Sequence, residues 1–155
     1  MNYWLIKSEP DVFGIEDLEQ VGCEPWDGIR NYQARNFMRD TMEIGDLAIF
    51  YHSNAKPPGA VGIARVASEA YPDPTQFDEK SKYCDPKSNP DDPRWLLRDF
   101  EFVLKFPEMV TLEALKADSA LDEMLVVKRG QRLSIQPVVA KHFKRVCKMA
   151  GVKLP

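Results

Sequence analysis

The stretch WDGIRNYQARNF, residues 26 to 37, gathers two large aromatic rings, two arginines, two asparagines and a glutamine ahead of Phe37. A core helix has no use for so many planar hydrogen-bonding groups, and a solvated surface helix has none for Trp26 and Tyr32. Three shorter polar clusters fall at the ends of apolar runs: KSEP at 7 to 10, YHSN at 51 to 54 and SIQP at 134 to 137. Together they suit a flat heteroaromatic ligand. Its ring stacks on an aromatic, Trp26 first, and such stacking contributes about 1–3 kcal/mol per base. Ser8, Ser53, Asn54, Ser134 and Gln136 read its edge, with Tyr32, Gln33 and His52 as further lining groups. Glu9 and Asp27 are placed to accept from an exocyclic amine, as carboxylates do for cytosine N4. Each residue also has a plainer reading. Trp26 serves equally as core, since tryptophan is highly buried on average. Arg30, Arg35 and Arg39 serve as surface partners of Asp27 and Asp40, and Ser8 and Ser53 as turn caps. His52 serves as a hydrogen-bonded core histidine.

The chain has 155 residues and a net charge of −3, which alone argues against a general nucleic-acid binder. The distribution points the other way. Residues 126 to 155 hold eight cations and no acid, leaving 13 cations against 24 acids in residues 1 to 125. That asymmetry suits either a solvated helix face or a surface that meets a polyanion. In the second case Lys128, Arg129 and Arg132 join Arg30 and Arg35 as phosphate-binding candidates. Three widely spaced cysteines and two histidines form no metal-ligand pattern, so neither a metal nor a cofactor is expected. No apolar run reaches the ~18 residues of a membrane span, and the N-terminus lacks the pattern of a signal peptide. The expected address is cytoplasmic in a bacterium and nuclear in a eukaryote, not secreted.

Those side chains need elements to position them. YWLIKS (3 to 8) reads as a strand and GIEDLEQV (14 to 21) as a short helix with Gly14 at its N-cap and Asp17 three residues on. Ala34, Phe37, Met38 and Met42 keep helical spacing between Asn31 and Met42, and Gly45 ends the pattern. Residues 46 to 53 and 60 to 71 read as a hairpin, the first strand apolar on both faces. Residues 72 to 94 carry five of the 12 prolines, yet also Phe77 and Tyr83, and read as a long ordered loop packed on the rest. Residues 95 to 106 alternate as a strand, 111 to 118 form a helix capped by Thr111, and 131 to 136 form a last strand. Pro137 then suits the first turn of a terminal helix carrying Val139, Phe143, Val146, Cys147 and Ala150, closed by Gly151. The sum is one α+β domain over residues 1 to 155. It holds five or six mostly antiparallel strands in a small, partly open barrel, flanked by short helices and a C-terminal helix. Strand ends converge at a barrel mouth, where ligand sites tend to sit.

Taken in order, YWLIKSEPD, WDGIRNYQARNF, FYHSN, AYPDPTQFD and RLSIQPV resemble the EVE domain family, from about residue 3 to 137. The resemblance implies a PUA-like pseudo-barrel related to YTH and ASCH domains. It implies a pocket for a modified base, with modified cytosine in DNA, 5-methylcytosine or 5-hydroxymethylcytosine, the leading ligand. In YTH-like pockets the residue after a similar strand-end Lys-Ser, and a tryptophan on the following loop, contact the extruded base. The matching positions are Ser8, Glu9 and Trp26, with Asp27 following the tryptophan. Trp4 and Trp95 sit in or at the start of strands and do not complete a YTH-type aromatic cage, which points to a smaller base than methyladenine. A modified RNA base is the alternative ligand. A PUA-like relative that hydrolyses acylated cytidine through Lys, Thr and Glu is the enzymatic alternative, with Lys7, Ser8, Glu9 and His52–Ser53 as its material. Adjacent strand residues face opposite ways, which argues against Lys7 and Ser8 acting in one pocket.

Overall fold

The structure is a computed structural model that describes residues 1–155. Strand β1 (Tyr3–Ser8) leads into α1 (Ile15–Val21) and the short β2 (Cys23–Pro25). Helix α2 (Tyr32–Asn36) runs on into a π-helical turn at Phe37–Thr41. The hairpin β3 (Leu47–His52) and β4 (Gly59–Val66) follows, then the small ribbon of β5 (Tyr71–Pro72) with β6 (Leu96–Leu97). The long β7 (Asp99–Thr111), α3 (Leu112–Ala117), β8 (Ile135–Val138) and α4 (Ala140–Ala150) complete the chain. Six strands pair in the order β2-β7-β4-β3-β1-β8, antiparallel except for the parallel pair β1–β3. Register shifts within β3–β4 and β4–β7 bend the sheet into a half-barrel, as bulges do.

Apolar residues on both faces of β1 and β3 require cover on both faces, and the sheet receives it. Trp4, Ile6, Ala48 and Phe50 point into one cluster with Ile15 and Leu18 of α1, Trp26, Ala34 and Met38. Leu5, Leu47, Ile49 and Tyr51 point into the other, closed by Leu115 of α3 and Phe143, Val146 and Cys147 of α4. Each fully buried Leu, Ile or Phe among them contributes about 1.5–3 kcal/mol. Helix α1 begins as its sequence dictates: the Asp17 carboxylate accepts from the Gly14 N–H at 2.7 Å.

Several boundaries differ from the sequence reading. The strand expected over 95 to 106 breaks at Arg98, which is 3% exposed and donates to the carbonyls of Met38 (2.5 Å) and Ser68 (3.0 Å). The strand expected at 60 to 71 ends at Val66. Pro137 lies inside β8, paired with Trp4, rather than opening α4. Strand β8 is an edge of the sheet, where a residue without an N–H is tolerated.

Candidate nucleotide-binding cavity

A cavity of about 410 Å³ opens where the end of β1, the end of β2 and the loops at 26 to 29 and 82 to 83 meet. Strand β1 delivers Lys7, Ser8 and Glu9, and a tight turn follows it. The N–H groups of Val12 and Phe13 donate to the Glu9 carbonyl at 3.0 and 2.9 Å, and Ser8 Oγ donates to the Phe13 carbonyl at 2.5 Å. The proton of Ser8 is therefore committed and its oxygen is left as an acceptor. Ser134, just before β8, lines the cavity beside β1, its carbonyl accepting from the Lys7 N–H at 2.9 Å.

Trp26 is both core and cavity wall. It is 8% exposed and packed edge-to-face with Phe13, Phe50 and Phe100 at 5.6–6.0 Å between centroids. The other two indoles have partners: Trp4 Nε1 donates to Asp46 at 3.1 Å and Trp95 Nε1 to Asp85 at 2.8 Å. Trp26 Nε1 has none within the protein. No fully buried side-chain nitrogen or oxygen is left unpaired, so this N–H keeps some exposure, and Trp26 lines the cavity.

Three carboxylates border the same space: Glu9, Glu24 and Asp27. Asn54 Nδ2 donates to Glu9. Partial burial raises Glu24 above its ordinary value, with Asp27 and Asp99 adding to it. Asp27 keeps much of its surface in solvent, yet the protein packed around it lifts its carboxyl too, helped by Asp73 and opposed by Arg30.

The 26 to 29 loop is fixed by a knot that reaches across to the long loop. Gly28 has φ of +79°, and a Cβ there would stand 2.7 Å from the Tyr83 ring, so both backbone and space demand glycine. Its N–H donates to the buried Asp73 carboxylate at 2.8 Å. Arg30 donates to Asp73 (3.0 Å), to Thr75 Oγ1 (3.0 Å) and twice to the Tyr83 carbonyl (3.0 and 2.7 Å). Its guanidinium lies over the Tyr83 and Trp95 rings. Burial pushes the Asp73 carboxyl up. Its bonds from the Thr75 hydroxyl and N–H, Gly28 N–H and Arg30 outweigh that and leave it below the ordinary value.

Several sequence-level candidates therefore sit elsewhere. Arg30 is a strut of this knot with its donors occupied, not a free phosphate ligand. Arg35 donates to the Arg94 carbonyl (3.0 Å) and to Asn36, with its guanidinium 4.8 Å over the Tyr32 ring. Tyr32 stacks on Trp95 at 4.8 Å and Gln33 is exposed on α2; neither lines the cavity. Gln136 is 1% exposed and donates to the Leu133 carbonyl at 2.8 Å, because β8 begins later than the strand read at 131 to 136. His52 borders a separate hollow beside α1, where its Nε2 accepts from the Ile15 N–H at 3.1 Å. Burial keeps its imidazole below the ordinary value, against the pull of Glu16 and Asp17.

Ser53 and Asn54 line a neighbouring groove together with Lys128, Arg129 and Arg132. Lys7 borders both spaces, and its ammonium reaches toward the Gln131 carbonyl at 3.4 Å. The sequence reading did not single out Phe13, Glu24, Gly28, Lys82 or Tyr83 for the cavity. Aspartate-glycine at 27 to 28 and an aromatic within a proline-rich loop were the signals available. No group of three or more His, Cys, Asp or Glu side chains gathers as a metal site needs. No helix is long and apolar enough to cross a membrane.

Residues 2–149 match the sequence profile of the EVE domain. Thymocyte nuclear protein 1 of Mus musculus is 44% identical over 163 residues, covering 92% of this chain and 70% of that protein. The crystal structure of the human THYN1 protein in complex with DNA containing 5-methylcytosine superposes with a TM-score of 0.91 at 40% identity, over the full length of both chains. The Mmi1 YTH domain, solved with RNA, shares the fold at 10% identity, with a TM-score of 0.54 over 97% of this chain and 77% of that one.

Proposed function

The chain belongs to the EVE domain family, and on that footing we propose that it binds a nucleic acid carrying a modified base, a modified cytosine in DNA before others, without transforming it. The observation that carries this reading is that Trp26, its indole N–H unpartnered within the protein, lines a cavity bordered by Glu9, Glu24 and Asp27. A base that turns its edge to the Trp26 indole N–H meets a donor suited to its carbonyl. Its exocyclic amine meets carboxylates, the pairing cytosine N4 makes. Ser8 Oγ adds an acceptor. Extruding the base from a duplex costs a few kcal/mol, which contacts to flanking phosphates must offset.

The human relative, 40% identical over the solved chain, was solved on DNA with 5-methylcytosine, which favours DNA over RNA as the partner. The YTH likeness supports only the fold. A hydrolytic role is disfavoured by how the nucleophile candidates are held. Ser8 Oγ spends its proton on Phe13, and His52 Nε2 spends its lone pair on the Ile15 N–H, bordering another hollow. Lys7 and Ser8 both border the cavity, contrary to strict alternation, yet no hydrogen bond joins them.

The test is titration of oligonucleotides bearing cytosine, 5-methylcytosine or 5-hydroxymethylcytosine against the wild type and Trp26→Phe. Phenylalanine is the cleaner substitution, because a Trp→Ala change in a core costs about 3–5 kcal/mol of stability on its own. A modified base is expected to bind more tightly than cytosine, by no more than the roughly 10- to 200-fold that one methyl group gives in a fully apolar pocket. Trp26→Phe removes the indole N–H and is expected to lower that affinity about tenfold. Equal binding of all three, unchanged in the variant, rules the reading out.

A further inference from the structure

The groove beside the cavity, about 360 Å³, is bordered by five cations, Lys7, Lys116, Lys128, Arg129 and Arg132, and by no carboxylate. This is a local excess in a chain of net charge −3. Lys128 is the one cation of the five in an ion pair, at 3.1 Å from the exposed Glu123. Lys116, Arg129 and Arg132 make no side-chain bond within the protein, and all three are exposed. Ser53 and Asn54 bring a hydroxyl and an amide to the same walls. Guanidinium forks, ammonium groups, hydroxyls and amides are the groups that hold phosphate oxygens in register without reading sequence.

The groove and the cavity share one lining residue. Lys7 lines both, and the chain at 131 to 134 lies along the end of β1, where the Lys7 N–H donates to the Ser134 carbonyl at 2.9 Å. We propose that the groove carries the phosphodiester backbone that flanks the bound base, with Lys7 at the junction holding the phosphate of the extruded nucleotide itself. This rests on the base-binding reading, and it extends the binding surface to Lys7 and Lys116. The Lys7 ammonium is half-buried beside a single carbonyl, and its burial holds its pKa down. An anion at that point supplies the countercharge. The cations of α4 have no part in this groove: Lys141, Lys144 and Lys148 lie outside it, and Arg145 is paired with Asp118 at 2.6 Å.

The experiment measures duplex affinity against salt concentration for the full chain, with cytosine and 5-methylcytosine probes of one sequence. Three variants are compared with the wild type: Arg129→Gln/Arg132→Gln, Lys7→Gln, and Lys144→Gln/Lys148→Gln as a control of equal charge change on α4. Each cation withdrawn from a phosphate flattens the slope of log K against log salt by about 0.9. The groove double variant is expected to flatten by up to two such steps and Lys7→Gln by one. In the double variant both probes weaken by the same factor, so the ratio between them stays fixed. The α4 control is expected to keep the wild-type slope. A groove variant with an unchanged slope overturns the proposal, and so does an α4 control that flattens as much. Polyglutamate bound with the same sensitivity to Arg129 and Arg132 also overturns it, assigning the groove to acidic peptides. The probe ratio reports separately on the base: a ratio of one with a flattened slope fails the cavity reading and the Lys7 junction, while a retained ratio with unflattened slopes fails the groove alone.

Discussion

The cavity beside Trp26 and the groove beside it share Lys7 and little else. The cavity is bordered by three carboxylates and by the rings of Phe13, Trp26 and Tyr83. The groove is bordered by five cations, and its one aromatic is Tyr51. The cavity is also the more tightly built of the two. Its floor belongs to the core, and its rim is tied to the long loop through Gly28, Arg30, Asp73 and Tyr83. The groove cations at 129 and 132 hang from a surface loop with no bonds of their own. One space is shaped to select and the other is charged to attract. A nucleotide is a ligand with those two halves: a flat base rich in donors and acceptors, and a diffuse anion.

The comparison is most directly broken at Asp73. If the cavity is rigid because of its knot, removing the buried carboxylate strands the Arg30 guanidinium and the Gly28 and Thr75 N–H groups. Breaking a buried ion pair from one side costs about 3–5 kcal/mol. Asp73→Ala is therefore expected to lower the free energy of unfolding by that amount in a urea titration, whereas Arg129→Gln leaves it within about 0.5 kcal/mol. Equal and small losses for both would mean that the rim is no better fixed than the groove.

Acid separates the same two features with a smaller effect. The Asp73 carboxyl lies below its ordinary value in the folded state. Its contribution to stability is complete above the unfolded aspartate value of about 3.9 and is lost only as pH falls through the lower folded value. Asp27 and Glu24 are shifted the opposite way. A ligand amine bound to their ionised forms is released as pH falls through those raised values, before the knot loosens. Affinity for the modified base is thus expected to fall on acidification while the fold, followed by far-ultraviolet circular dichroism, stays intact. Asp27→Asn is expected to weaken binding roughly 10- to 100-fold near neutral pH, the worth of one hydrogen bond to a charged group, and to flatten its share of the pH profile. An affinity that holds down to the pH of unfolding sinks the role given to these carboxylates.

What the sequence made legible follows a physical divide. Strand β1, the hairpin β3–β4 and helices α1 and α3 were readable because periodicity and capping are local. Both faces of β3 are apolar, and Gly14, Asp17 and Thr111 cap the helices they precede or open. Pro137 misled because its tolerance in β8 depends on that strand being an edge, a fact of topology. Ser8, Glu9, Trp26, Asp27 and Ser134 could be nominated from their place at element ends, and they border one cavity. Arg30 and Arg35 could not be separated from phosphate ligands. Their partners, the carbonyls of Tyr83 and Arg94 and the Asp73 carboxylate, lie 43 to 59 residues away in a loop whose course no periodicity reveals. The knot on which the cavity depends is built almost entirely from such distant contacts.

Tyr32 carries the smallest expected effect and sharpens the contrast most finely. By residue type it belongs with Trp26 as a stacking platform. By position it is half exposed, flat against Trp95 at 4.8 Å, with Arg35 over its ring at the same distance. That stack already uses the surface a base would need. Tyr32→Ala should therefore cost about 0.5–1.5 kcal/mol of stability, the value of an aromatic pair beyond its buried area. It should leave affinity for the modified oligonucleotide within about twofold of the wild type, because neither ring of the stack borders the cavity. A drop approaching that of Trp26→Phe would mean that the ligand extends over α2 as well, and that the aromatic surface of the site is two platforms rather than one.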